Sequence, residues 1–212
     1  MRRMSSEMSL LACCACALLA GSADARSEKD ETAIAPLTVI RAGKLIDGAS
    51  STVKPNQLVF VRGDRIVSVA DGAAPIPAGA NVIDLSGATV LPGLIDSHTH
   101  MFLWGQDPAK GGYDANILKA GIALRAARAT YAVRRALEQG FTTIRDVETE
   151  GAGFGDVGIR DAIREGTIPG PRIFASTLGI STTGGYNLEG YAPELEMPKG
   201  VQIVDGPVEA RK

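Results

Sequence analysis

The sequence predicts an α/β protein: a small all-β unit over residues 37–91, then an alternation of strands and helices over residues 92–212 that builds a parallel sheet. Three observations carry this. Short β-branched runs separated by Gly, Asp and Pro fill the first segment. One long apolar stripe at helical spacing follows in the second. That stripe lies between two further β-branched runs, so strand, helix and strand succeed one another.

With 212 residues, 45% of them hydrophobic and 22% charged, the chain has a globular composition. A net charge of −2 gives no basic field for nucleic acid, and no nucleic-acid motif is present.

Residues 1–25 read as an export signal. Arg2 and Arg3 form the positive end, residues 10–21 the apolar stretch, and Ala23-Asp24-Ala25 the small-residue cleavage site. Cleavage after Ala25 is expected, which places the product in the periplasm or outside the cell. The apolar stretch is well short of the roughly 20 residues that span a bilayer, so no membrane association is expected after cleavage. Cys13, Cys14 and Cys16 all lie within it, leaving a mature chain without thiols or disulfides. Metal ligation then falls to His, Asp, Glu or a modified Lys. Residues 26–36 are a charged linker.

In the all-β unit, Leu37-Thr38-Val39-Ile40 is a strand, followed by a turn at Leu45-Ile46-Asp47-Gly48. Leu58-Val59-Phe60-Val61 and Ile66-Val67-Ser68-Val69 flank Arg62-Gly63-Asp64-Arg65 and predict a hairpin. That turn accounts for the Arg-Gly-Asp tripeptide without an adhesion partner. Asn81-Val82-Ile83-Asp84-Leu85 is a further strand, and Gly87 interrupts the chain before Val90.

The stretch Leu91-Pro92-Gly93-Leu94-Ile95-Asp96-Ser97-His98-Thr99-His100 reads as a buried strand whose far end opens into a site. Residues two apart on a strand share a face at about 6 to 7 Å, so His98 and His100 can converge on one metal ion. With only 2 histidines in the chain, chance would produce this spacing in roughly one sequence in a hundred. The alternative is two polar residues at a strand end, bonded to backbone. Asp96 shares their parity; it either orients an imidazole or bonds nearby backbone.

Residues 101–116 are a loop in which Trp104 and Tyr113 either line a pocket or pin a surface. Over 118–139, Leu118, Ile122, Ala126, Ala129, Val133 and Leu137 form a helical stripe, with Arg125, Arg128, Arg134 and Arg135 on a solvated outer face. Gly140 caps that helix. Phe141-Thr142-Thr143-Ile144 is the next strand, ending in Arg145-Asp146. A short helix at 157–165 and a strand at Arg172-Ile173-Phe174-Ala175 follow. In a parallel sheet, Asp146 and Ser176 fall on the same edge as the two histidines. Thr182, Thr183 and Tyr186 are polar candidates in the loop after that strand, and the tail is irregular apart from 201–204.

The segment Leu91 to His100 resembles the first barrel strand of the amidohydrolase superfamily. Gly140-Phe141-Thr142-Thr143-Ile144-Arg145-Asp146, Pro169-Gly170-Pro171-Arg172-Ile173 and Thr183-Gly184-Gly185 extend the resemblance to its imidazolonepropionase-like and Xaa-Pro-dipeptidase-like branch. The resemblance implies that residues 92–212 are the first βα units of a (β/α)8 barrel left incomplete in this chain, and residues 37–91 part of a β-sandwich. It implies a metal-dependent hydrolase that cleaves amide or cyclic amide C–N bonds with metal-activated water. His98 and His100 would hold the first of one or two divalent ions, zinc in preference, with Asp96 orienting one imidazole.

Trp104, Arg145, Thr183 and Tyr186 would contact a small-molecule substrate such as a dipeptide or cyclic amide; Arg145 could instead pair with Asp146 at the barrel rim. A homo-oligomer is compatible with the resemblance. Tyr186 departs from relatives with a histidine after Gly184-Gly185, which leaves the substrate open. The family completes its site with a carboxylated lysine or carboxylate, two histidines and an aspartate from later strands. Lys199 and Lys212 lie in polar surroundings unsuited to a bridging lysine. The expectation is therefore a truncated form, not competent by itself. A deaminase of the same superfamily, or a non-catalytic exported binding module, are the alternatives.

Overall fold

The computed structural model describes residues 35–186, 190–192, 194–198 and 200–212. The export signal and most of the linker expected above lie outside the described residues, as does Lys199. The chain divides into two compact units between Val90 and Leu91.

The first unit is one four-stranded sheet in the order β3-β2-β1-β4. Strand β1 (Leu37–Leu45) pairs antiparallel with β2 (Lys54–Arg62), and β2 with β3 (Arg65–Asp71). The parallel partner of β1 on its other side is β4 (Asn81–Val90). After β1, Asp47 closes the turn by accepting the Ala49 and Ser50 N–H groups at 3.0 and 2.9 Å, with the Lys54 ammonium 2.7 Å from its other oxygen. The Arg-Gly-Asp tripeptide spans the β2–β3 hairpin turn, where Gly63 takes φ 59°. Both faces of β2 are buried: Leu58 and Phe60 join Val39 in one cluster, while Val59 joins Ala42 and Leu45 in another.

In the second unit, β5 (Leu94–Thr99), β6 (Phe141–Asp146) and β7 (Arg172–Ala175) form a parallel sheet in that order. Helix α1 (Ile122–Glu138) connects β5 to β6, and α2 (Gly155–Arg164) connects β6 to β7. Ala129 and Val133 of α1 and Ile159 of α2 bury against Ile144 and Ile173 of the sheet, together with Met101 and Phe102. A helical layer thus covers one sheet face, the side to which Ile144 points.

Three expectations need correction. The helix begins at Ile122 rather than at 118, because Gly121 is extended (φ −62°, ψ 155°) and residues Ala115–Lys119 form a separate wide turn. Gly140 ends it as expected, in the left-handed region at φ 94°. Its buried face is also rotated. Leu118 and Ile122, assigned to the apolar stripe, are 36% and 56% exposed, whereas Arg125, assigned to the solvated face, is 3% exposed. The stretch after β7 is not plain loop either: β8 (Gly179–Ser181) pairs in parallel with β9 (Val201–Ile203).

Candidate metal centre

Parallel strands deliver their C-terminal ends to one edge of a sheet, and loops at that edge meet. Here the edge carries His98 near the end of β5, His100 just beyond it and Asp146 at the end of β6. The imidazole rings of His98 and His100 lie with centroids 5.3 Å apart, inclined at 71°. Strand pairing with β6 is irregular between Asp96 and Thr99. Asp96 accepts the backbone N–H of His98 at 3.1 Å, a bond to nearby backbone.

The loop after β6 supplies the groups that face His100. Its Nδ1 lies 3.2 Å from the Glu148 carbonyl oxygen and 3.3 Å from Glu150 Oε1. The other Glu150 oxygen accepts the hydroxyls of both Tyr113 and Tyr186, which are themselves 2.6 Å apart. Glu150 occupies the left-handed region at φ 55°, which a side chain with a Cβ adopts only where its surroundings enforce it. Arg125 is the enforcing group: its guanidinium donates to the carbonyls of Phe102, Thr149 and Glu150 at 3.3, 3.0 and 2.8 Å.

A second lock joins the loops after β6 and β7. Thr177, β-branched yet at φ 63°, donates its N–H to the buried Asp156 carboxylate at 2.8 Å. Its carbonyl accepts both the N–H and the hydroxyl of Thr149 at 3.0 Å.

Burial dominates the electrostatics. Asp146 is wholly inaccessible, and desolvation, followed by the neighbouring Asp156 charge, pushes its pKa up to about 8. Its Oδ2 has no hydrogen-bond partner among the described residues. Glu148 is likewise raised, first by burial and then by Glu150. Gly179 and Gly200 make room for its carboxylate, since a Cβ on Gly200 would sit 2.0 Å from Oε1. Desolvation also raises both tyrosine hydroxyls and lowers Arg125.

Of the four side chains expected to contact substrate, the structure brings one, Tyr186, to the histidine cluster. Trp104 packs edge-on against Tyr131 at 5.5 Å, with the Arg128 guanidinium 5.8 Å from its ring centre. Arg145 is exposed and lies over the Phe174 ring at 5.2 Å. Its alternative partner, Asp146, is the next residue on the strand and is buried, so the rim ion pair is not formed. Thr183 bonds Asp205 through its N–H and its hydroxyl, at 2.8 and 2.5 Å.

The sequence pattern singled out neither Glu148 nor Glu150, and it put Arg125 on the solvated face. For the acids a signal existed: Asp146, Glu148 and Glu150 repeat at every second residue beyond a strand, the spacing that singled out the histidines. Two imidazoles suit a zinc-like ion and supply two of its ligands. Among the described residues no group of three or more His, Cys, Asp or Glu side chains is arranged to hold a metal ion.

The amidohydrolase family model matches residues 89–212. Ochratoxinase from Aspergillus niger is 32% identical over 157 residues, covering 72% of this chain and 30% of that protein. Imidazolonepropionase from Anaeromyxobacter dehalogenans is 36% identical over 109 residues, 51% of this chain and 22% of that one. A solved Xaa-Pro dipeptidase with methionine bound in its active site superposes with a TM-score of 0.70 at 36% identity, over 82% of this chain and 42% of that chain. The chain thus spans less than half the length of each of these relatives. Every residue of the cluster around His100 falls within the family match, and the chain belongs to the amidohydrolase family.

Proposed function

We propose that this chain supplies the first metal-ligating side chains, His98 and His100, of a hydrolase that opens the C–N bond of a dipeptide or a cyclic amide. The pair of imidazoles 5.3 Å apart at the C-terminal edge of a parallel sheet carries the reading. The names of two relatives, Xaa-Pro dipeptidase and imidazolonepropionase, support the substrate class. Strands β5, β6 and β7 take the place of the first three of eight barrel strands in this reading.

A bound divalent ion, zinc by the preference of imidazole donors, supplies a nucleophile at neutral pH and polarises the scissile carbonyl. The chain's own groups divide the remaining work. His98 and His100 bind the ion, the Tyr113 and Tyr186 hydroxyls hold the Glu150 carboxylate that faces His100, and burial holds Asp146 toward its protonated form. Catalytic zinc takes about three protein ligands, so two histidines alone hold it weakly and the chain by itself turns over little or no substrate.

Metal analysis of the wild type beside a His98→Ala/His100→Ala variant tests the reading. At one and the same free zinc concentration the wild type should bind more zinc than the variant; equal metal in both would remove the proposal. Export is the second element proposed. N-terminal sequencing of protein recovered outside the cytoplasm should begin at Arg26, and an intact Met1 there would count against it.

A further inference from the structure

We infer that Glu150 is the positioning residue for His100, its carboxylate accepting a hydrogen bond from Nδ1–H so that Nε2 is presented to the metal. The inference rests on the metal reading above but makes a separate claim about the chain itself. Two groups face His100 Nδ1, the Glu148 carbonyl at 3.2 Å and Glu150 Oε1 at 3.3 Å, and each can only accept. A neutral imidazole meeting two acceptors at one nitrogen carries its hydrogen there, which leaves the other nitrogen with a free lone pair.

Glu150 is held for this task at each of its ends. Its Oε2 is occupied by the hydroxyls of Tyr113 and Tyr186, so Oε1 alone is left for the imidazole. Its backbone sits at φ 55°, and its carbonyl is bound at 2.8 Å by Arg125, itself buried. The side chain of Glu150 is 5% exposed while that of His100 is 27% exposed, so the carboxylate lies behind the ring. Asp96 uses its Oδ1 to accept the His98 N–H. A carboxylate behind a ligating imidazole also increases the basicity of the ligand, and its loss typically weakens metal binding about 10–100-fold.

Because the chain has only 2 histidines, a His98→Ala variant leaves one imidazole to observe. In that variant, metal-free, uniformly 15N-labelled and held above the titration range of the ring, the nitrogen shifts of His100 should report the Nδ1–H tautomer. An Nε2–H tautomer would overturn the inference. With His98 restored, Glu150→Gln should lower zinc affinity about 10–100-fold by competition with a chelating dye. Unchanged affinity in a variant with wild-type circular dichroism would overturn it as well.

Should Glu150→Gln fail to fold, Tyr113→Phe/Tyr186→Phe keeps the carboxylate and frees its Oε2; it should weaken zinc binding by a smaller factor, and no change would count against the clamp. The metal reading fails separately, if His98→Ala/His100→Ala binds as much zinc as the wild type. Adding Glu150→Gln to the metal-free His98→Ala protein decides the positioning role in either case: the Nδ1–H population should fall, and an unchanged population would assign the role to the Glu148 carbonyl and overturn the inference.

Discussion

A carboxyl without solvent and with one oxygen unbonded is costly to ionise, and Asp146 is in that position. Its folded pKa of about 8 lies above the ordinary 3.8, so between these values the folded chain binds more protons than the unfolded one. Stability from this group is present in full below about pH 4 and is lost as pH rises toward 8. Asp146→Asn should flatten that decline. Its melting temperature, followed by circular dichroism, should exceed the wild type by several degrees at pH 8, by less at pH 5, and lose the advantage below about pH 4. Arg125 makes the opposite case, a buried cation satisfied by three carbonyls. Arg125→Met removes the donors and leaves the carbonyls unpaired, and urea titration should show a loss of about 2–4 kcal/mol. Nothing in the helical pattern marked Arg125 among four arginines; only its distance to the Phe102 and Thr149 carbonyls singles it out.

Elements were legible where a local pattern sufficed. The β2–β3 hairpin follows from two β-branched runs around Gly63-Asp64, and Gly140 stops α1 because a left-handed residue ends the ladder. The start of α1 and its buried face were not legible. Ala126 and Ala129 contribute too little apolar surface to set the face by themselves, and contact with β6 and β7 sets it instead. In the first unit, the β1–β4 pairing shifts register between Ala42 and Lys44, where Gly43 opposes β4 backbone. A Cβ on Gly43 would fall 2.0 Å from the Ser86 carbonyl oxygen, which belongs to main chain and cannot rotate away. Gly43→Ala should therefore destabilise this sheet by about 1–3 kcal/mol, read as an earlier loss of β-sheet signal in urea.

Over the whole chain, one face of the β5-β6-β7 sheet is covered by α1 and α2, while Ile95 and Phe174 on its strands are 70% and 47% exposed. Exposed apolar side chains on a sheet favour association. The 212-residue chain should sediment with a concentration-dependent mass, and Ile95→Ser should reduce that dependence without lowering the melting temperature. The sequence by itself determined the all-β unit, the alternation of strand and helix, and a histidine pair at a strand end, since each depends on periods of two to four residues. Only the tertiary structure decided that Glu150, Tyr113, Tyr186 and Arg125 gather behind His100. Those partners lie 13 to 86 positions from His100, and they meet because parallel strands align their C-terminal ends and burial turns the polar groups toward one another.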